Sequence, residues 1–164
     1  SCFLRQLSRK DLDETLTAET LDYDALRKSA EGLESKDELE LVEGWNGIHW
    51  LLTGTDGNTD LGLPPLNFIF AGDEDLPSKS ELMAGHILTD VRVGAVNRLL
   101  QKHTVEELLT RYDARKMTTA DLYPDGLWED VQDGVDVCRE SLNGIIPFFT
   151  RAAEKERFVL IYYG

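Results

Sequence analysis

"RFVLIYYG", residues 157–164, is the stretch whose reading decides the fold. Phe158 to Tyr163 are six consecutive β-formers. A strand with one face in water alternates apolar and polar residues, whereas a run this apolar suits a strand covered on both faces. Helices packed on both faces of a small mixed sheet would supply that cover. Residues 2–7, CFLRQL, have β character of their own and form the next-best strand. The pattern leaves open whether these two terminal strands pair. The rest of the chain is richer in helical signals, so the expected class is α/β: helix-rich, with a small mixed sheet between helices.

Outward from those ends, Ser8 opens Ser-Arg-Lys-Asp, a helix start with an acid three positions on, and the helix runs to about Leu16. Asp22 caps a second helix through about Ala30, ended by Gly32. Residues 33–41 are charged and mixed and read as a connection. In "GWNGIHWLLTG", residues 44–54, Trp45, Ile48, His49 and Leu52 fall at i, i+3, i+4 and i+7. Trp50 and Leu51 widen that stripe, and Gly54 stands where a residue of positive φ ends a helix of roughly three turns. Such a helix is buried on most sides.

Residues 55–65 are a Gly/Asn/Pro-rich loop. Asn67–Ala71 reads as a short helix or strand stopped by Gly72, and residues 82–88 contain a strand. Thr89 caps a helix through about Lys102, with Val93, Val96, Leu99 and Leu100 as its apolar face. Thr104-Val-Glu-Glu is a capping box for a helix to Arg111, and another follows over 113–121. Tyr123-Pro-Asp-Gly is a turn. From about Trp128 a long helical pattern runs toward Glu156, and Pro147 should kink or break it. With no repeat or linker in its 164 residues, the chain reads as one domain over 1–164.

The charge balance removes several function classes. Seventeen basic residues stand against 31 acidic ones, a net −14. That field repels nucleic acid and anionic membrane surfaces. The nearest thing to a basic cluster is Arg111, Arg115 and Lys116. No apolar run approaches the roughly 20 residues needed to span a bilayer, and the first residues lack the pattern of a signal peptide. The expectation is a cytoplasmic protein with Cys2 and Cys138 reduced. Neither the cysteines nor His49, His86 and His103 have metal-ligand spacing, so no metal and no cofactor are expected.

Two constellations carry chemistry on paper. His49 could act as a base, but a base needs a nucleophile or substrate and an orienting partner, and Trp45 on the same face supplies neither. In "DLYPDGLWED", residues 121–130, four carboxylates surround Tyr123 and Trp128, an arrangement known from sugar and cation sites. Pro-Asp-Gly is also ordinary turn chemistry, and Glu129 and Asp130 suit a helix start. Asp56, Asn58 and Asp60 give alternating oxygens without the later glycine and acid of a calcium loop. The candidate ligand-binding residues are therefore Trp45, His49, Trp50, Tyr123, Asp125 and Trp128, and no catalytic residue is assigned. The acidic segments are more telling: residues 11–24 hold six acids and no base, 31–43 six acids and one Lys, and 121–140 seven acids and one Arg.

Together, "GWNGIHWLLTG", "PPLNFIFAG", "ELLTRYDARKMTTADLYPDGLW" and "RFVLIYYG", after a short N-terminal strand, resemble in order and spacing the YfbM-like family of bacterial proteins of unknown function (domain of unknown function 1877). The family's aromatic-x-x-(Ile/Leu)-His-aromatic-x-Leu-Thr-Gly helix and its Tyr-Pro segment are both matched. "HILTDVRVGAVNRLL" departs from the family's Leu-Thr-Pro start by placing Asp90 at the proline, and Gly126 and Leu127 loosen the spacing from Tyr-Pro to Trp. The resemblance implies an α/β fold with helices on both sides of a small sheet. It brings no activity, cofactor or catalytic residue. The favoured function is a non-catalytic acidic binding protein engaging a basic protein partner, immunity- or inhibitor-like, with acidity steering the encounter. The alternatives are a small-molecule site or enzyme with a cleft near His49 and Tyr123, and an oligomeric structural protein. The sequence does not give the oligomeric state.

Overall fold

The structure, a computed structural model, describes residues 1–17, 37–55, 62, 64–75 and 85–164, with backbone alone for 15–17 and 74–75. Its centre is the terminal apolar run. Phe158–Tyr163 is a strand, β5, and Cys2–Leu7 is β1. The two pair antiparallel, from Cys2 opposite Tyr163 to Leu7 opposite Phe158. Strands β2 (Glu38–Leu41), β3 (Glu74–Asp75) and β4 (His86–Leu88) complete a sheet ordered β2-β1-β5-β4-β3.

Period-2 geometry divides the central strands between two cores. Val159 and Ile161 join Cys2 and Leu4 on one face. Phe158, Leu160 and Tyr162 join Phe3, Leu7, Ile87 and Leu12 on the other. Leu160 and Ile161 are both fully buried, so β5 is covered on both faces, as its composition requires. Each such side chain contributes about 1.5–3 kcal/mol of gross transfer free energy.

Among the described residues all four strand pairings are antiparallel, which corrects the expectation of a mixed sheet. A parallel pair needs a crossover, but a long helical connection does not force one. The chain from β4 to β5 passes through several helices and returns in the opposite direction. A second correction concerns residues 33–41, read as a connection: 38–41 are β2, paired with β1. The signal was present as Glu-Leu-Glu-Leu, with Leu41 buried and Glu40 exposed. The expected helix over 22–30 lies outside the described residues.

The helices are α1 (Arg9–Thr17), α2 (Trp45–Thr53), α3 (Phe68–Ala71), α4 (Asp90–Leu100), α5 (Val105–Leu109), α6 (Ala114–Thr119) and α7 (Val131–Glu154). Leu12 of α1 packs on one sheet face, and Leu142, Ile145, Phe149 and Ala152 of α7 pack in the other core. The starts follow their capping chemistry. The Ser8 hydroxyl accepts from the Asp11 N–H at 3.1 Å. Thr104 and Glu107 form the full capping box, and Asp130 accepts from the N–H groups of Gln132 and Asp133. At α4 Thr89 holds the N-cap position, but its side chain makes no capping hydrogen bond. The Thr89 hydroxyl donates to Asp73 at 2.7 Å, and the Thr89 N–H donates to the same carboxylate at 2.8 Å.

Pro147 does not break α7, which is one helix of 24 residues. The proline removes a single bond, to the carbonyl of Asn143. Asn143 and Pro147 are both exposed, so that carbonyl lies on the side open to water. The opposite face of α7 is held by fully buried side chains either side of the proline.

Candidate functional site

Helix α2 does two jobs along its length. Its N-terminal turns pack. Gly44 and Gly47 are the close approaches: a Cβ on Gly44 would run into the Ser141 side chain, and one on Gly47 into the Trp128 ring. Trp45 meets Tyr163 edge-on at 5.3 Å, Phe70 at 6.0 Å and Tyr123 in a stack at 6.3 Å. Asn46, 2% exposed, accepts the Tyr123 N–H at 2.8 Å and so fastens the 121–126 turn to the helix. Trp128 is 1% exposed and its indole N–H donates to the Leu122 carbonyl at 3.0 Å.

His49 faces packed side chains, with no exposed surface and its ring edge-on to Phe70. Its Nε2 lies 3.1 Å from the Thr55 hydroxyl, which also lies 2.9 Å from the Thr53 hydroxyl. The Thr53 hydroxyl donates to the His49 carbonyl at 2.7 Å, and Gly54, at φ 71°, donates its N–H to Trp50. The imidazole thus anchors the chain as it leaves the helix.

The C-terminal end of α2 opens outward. A cleft of about 820 Å³ lies between Trp50, Gly54 and Thr55 on one side and Asp113, Arg115, Lys116, Thr119 and Ala120 of α6 and its cap on the other. A second, of about 610 Å³, adjoins it through Trp50, Gly54, Asp113 and Lys116 and reaches Arg111 and Tyr112. A third, of about 370 Å³, runs between residues 39–44 and Val137, Glu140, Ser141 and Gly144 of α7.

Of the residues singled out in the sequence, Trp50 alone lines these clefts. Trp45, His49 and Trp128 are drawn into one packed neighbourhood with Phe70 and Gly47. Tyr123 is 51% exposed at its margin, stacked on Trp45, and Asp125 is exposed in the turn. No open cleft among the three joins His49 to Tyr123. In the sequence Arg111, Arg115 and Lys116 bear on nucleic-acid binding alone, and nothing local shows that the fold places them along two adjoining clefts. They flank Asp113, which caps α6 by accepting from the Lys116 N–H at 3.0 Å.

The thiols are not positioned as nucleophiles. Burial pushes Cys138 up to about 12 and Cys2 likewise to about 12, so both stay protonated and unreactive. Burial, with Cys138 and Asp130 nearby, also raises the Tyr112 phenol to about 12. Its hydroxyl donates to the Trp128 carbonyl at 2.9 Å. Among the described residues, no three His, Cys, Asp or Glu side chains converge as metal ligands. No described helix is long and apolar enough to cross a membrane.

These features define an α/β protein in which an antiparallel sheet is layered by helices and the conspicuous aromatic helix serves mainly to build the interior. The chain belongs to the family described as a domain of unknown function, DUF1877, whose model matches residues 1–162. Among solved structures it is similar to YfbM from Escherichia coli, a protein of unknown function, with a TM-score of 0.71 at 14% identity over 98% of each chain. At that identity the likeness shows the fold. No curated protein matches the chain.

Proposed function

We propose that the protein is a non-catalytic binding protein that engages a basic protein partner, as an inhibitor or immunity protein does. The observation that carries this reading is the acidic groove at the open edge of the sheet. β2 is the outermost strand on its side, and among the described residues nothing pairs with its outer edge. The cleft beside it is lined by Glu40, Glu43 and Glu140. All three are exposed, and none of their carboxylates makes an ion pair or hydrogen bond among the described residues. An unpaired strand edge offers backbone donors and acceptors to an incoming extended segment. Three uncompensated carboxylates favour a segment bearing Lys or Arg. The burial of His49 and of both thiols supports a binding role over a catalytic one.

The test uses a Lys/Arg-rich extended peptide and amide chemical shifts, at about 0.15 M salt, where only nearby charges still act. Shifts confined to 38–44 and 137–144, and lost in the Glu40→Gln/Glu43→Gln/Glu140→Gln variant, are the expected result. Shifts spread over every acidic surface, or binding unchanged in the triple variant, would overturn the assignment.

A further inference from the structure

We propose that the cleft between the C-terminal end of α2 and α6 is a binding site for a small organic anion of mononucleotide type, a phosphate carried on a flat ring. This site is independent of the acidic groove and inverts the charge of the protein around it. The chain as a whole carries 17 basic and 31 acidic residues. The described lining of the two adjoining clefts carries Arg111, Arg115 and Lys116 against Asp113 alone. Asp113 is partly neutralised by Lys116 at 3.6 Å. Arg115 makes no side-chain hydrogen bond or ion pair among the described residues, yet it lines the larger cleft. A guanidinium with its donors unused is suited to a phosphate or carboxylate, which it can grip with two parallel hydrogen bonds.

The opposite wall explains the ring. Trp50 is half-buried and lines both clefts, so an indole surface stands across from the cations. Flat bases stack on such surfaces irrespective of their hydrogen-bonding edges. A cleft of about 820 Å³ lies within the roughly 300–1,000 Å³ usual for small-molecule sites. The end of a helix is ordinarily a poor place for an anion, because its last carbonyls carry partial negative charge. Here two of those carbonyls are occupied: Trp50 accepts from Gly54 at 2.7 Å, and Leu51 accepts from Arg111 at 2.9 Å. Arg111 thus neutralises the helix end while contributing its own charge to the second cleft.

The experiment titrates the intact protein with adenosine monophosphate, inorganic phosphate and adenosine separately, reading tryptophan fluorescence and calorimetric heat. Saturable binding of the monophosphate, tighter than either fragment, is expected. Arg115→Ala with Lys116→Ala should weaken the monophosphate by about 10-fold or more while leaving adenosine unchanged. Arg115→Lys should recover part of the loss, and Trp50→Phe should weaken monophosphate and adenosine together. Both cations are exposed, and a circular dichroism melt checks that the variants remain folded. Glu40→Gln/Glu43→Gln/Glu140→Gln should leave monophosphate affinity intact, which separates this proposal from the protein-docking one. Absence of saturable binding at millimolar ligand, phosphate binding as tightly as the monophosphate, or affinity indifferent to Arg115 and Lys116 would each overturn it.

Discussion

Replacing Gly47 by alanine tests the claim that α2 is built to seat Trp128. In an exposed helix the change would stabilise, because glycine costs about 1 kcal/mol relative to alanine. At Gly47 the new methyl would instead overlap the far edge of the Trp128 six-membered ring, with Cζ2 only 3.1 Å away and two further ring atoms closer. The ring has nowhere to retreat. It is 1% exposed, its N–H is tied to the Leu122 carbonyl at 3.0 Å, and its own carbonyl holds the Tyr112 hydroxyl at 2.9 Å. Overpacking of this kind costs about 1–3 kcal/mol. After the propensity gain, the net effect should be a loss of up to about 2 kcal/mol, or a melting temperature lowered by as much as roughly 4–8 °C.

Gly94 supplies the control, since a Cβ there would meet only the flexible end of Arg98, at 3.5 Å. Gly94→Ala should therefore stabilise by about 0.5–1 kcal/mol. Urea unfolding read by circular dichroism measures both, with an unchanged slope required for comparison. In a Trp128→Phe background the missing ring edge should make Gly47→Ala cheaper by about 1 kcal/mol. If Gly47→Ala stabilises as much as Gly94→Ala, or has the same effect with and without Trp128, the packing argument is refuted.

Other expectations follow from single contacts. Asn46→Ala leaves the part-buried Tyr123 N–H without its acceptor and should cost about 1 kcal/mol in urea unfolding, with Tyr123 becoming more mobile by amide exchange. Asp73→Ala removes two hydrogen bonds from the start of α4 and should cost about 1–2 kcal/mol, detectable as a lower melting temperature. The hydrogen bond from Ser8 holds the Asp11 carboxyl below its ordinary value. Its stabilisation is present above the unfolded-state value and is lost as pH falls through the folded one. Ser8→Ala should cost about 1 kcal/mol near neutrality, and melts at decreasing pH should show the gap from the parent narrowing in the acid range. Cys2 and Cys138, held protonated by burial, should react with a thiol reagent at mildly alkaline pH only as fast as the protein opens.

The sheet's centre was legible because side-chain period carries burial directly. Six apolar positions in β5 can be satisfied in one way, with cover on both faces, and the two cores on either side of Leu160 and Ile161 follow. The 44–54 stripe, its closing Gly54 and the Thr104 capping box were legible for the same local reason. β2 was hidden by composition: its glutamates look like a solvated connection until the alternate leucines are given a core to face. Direction was hidden too, since nothing in a strand's own residues says which way its neighbour runs, and the expected mixed sheet proved antiparallel. The Thr89 cap failed for a further reason. The Thr89 hydroxyl is oriented by donating to the charged Asp73 carboxylate, 16 residues earlier, and it accepts no N–H from the first turn, an orientation that only the tertiary fold sets.

The same distinction separates what the sequence told of the site from what it did not. A tryptophan's neighbours along its own helix are fixed by the 3.6-residue period, so Trp45 facing inward with Ile48 and His49 could be read. Trp50 sits one position past His49, and its surroundings depend on how the α5–α6 corner meets the end of α2. That corner is fixed by Asp113 capping α6 and by Arg111 reaching the Leu51 carbonyl, a contact spanning 60 positions. A cationic cleft in a protein of net −14 is therefore a tertiary product, assembled from residues whose separate signals are a cap, a turn and a helix end. Charge counted along the chain averages it away, and only charge mapped on the fold restores it. That mapping makes Arg115, whose guanidinium no other described side chain engages, the residue whose removal discriminates a ligand site from an ordinary surface crease.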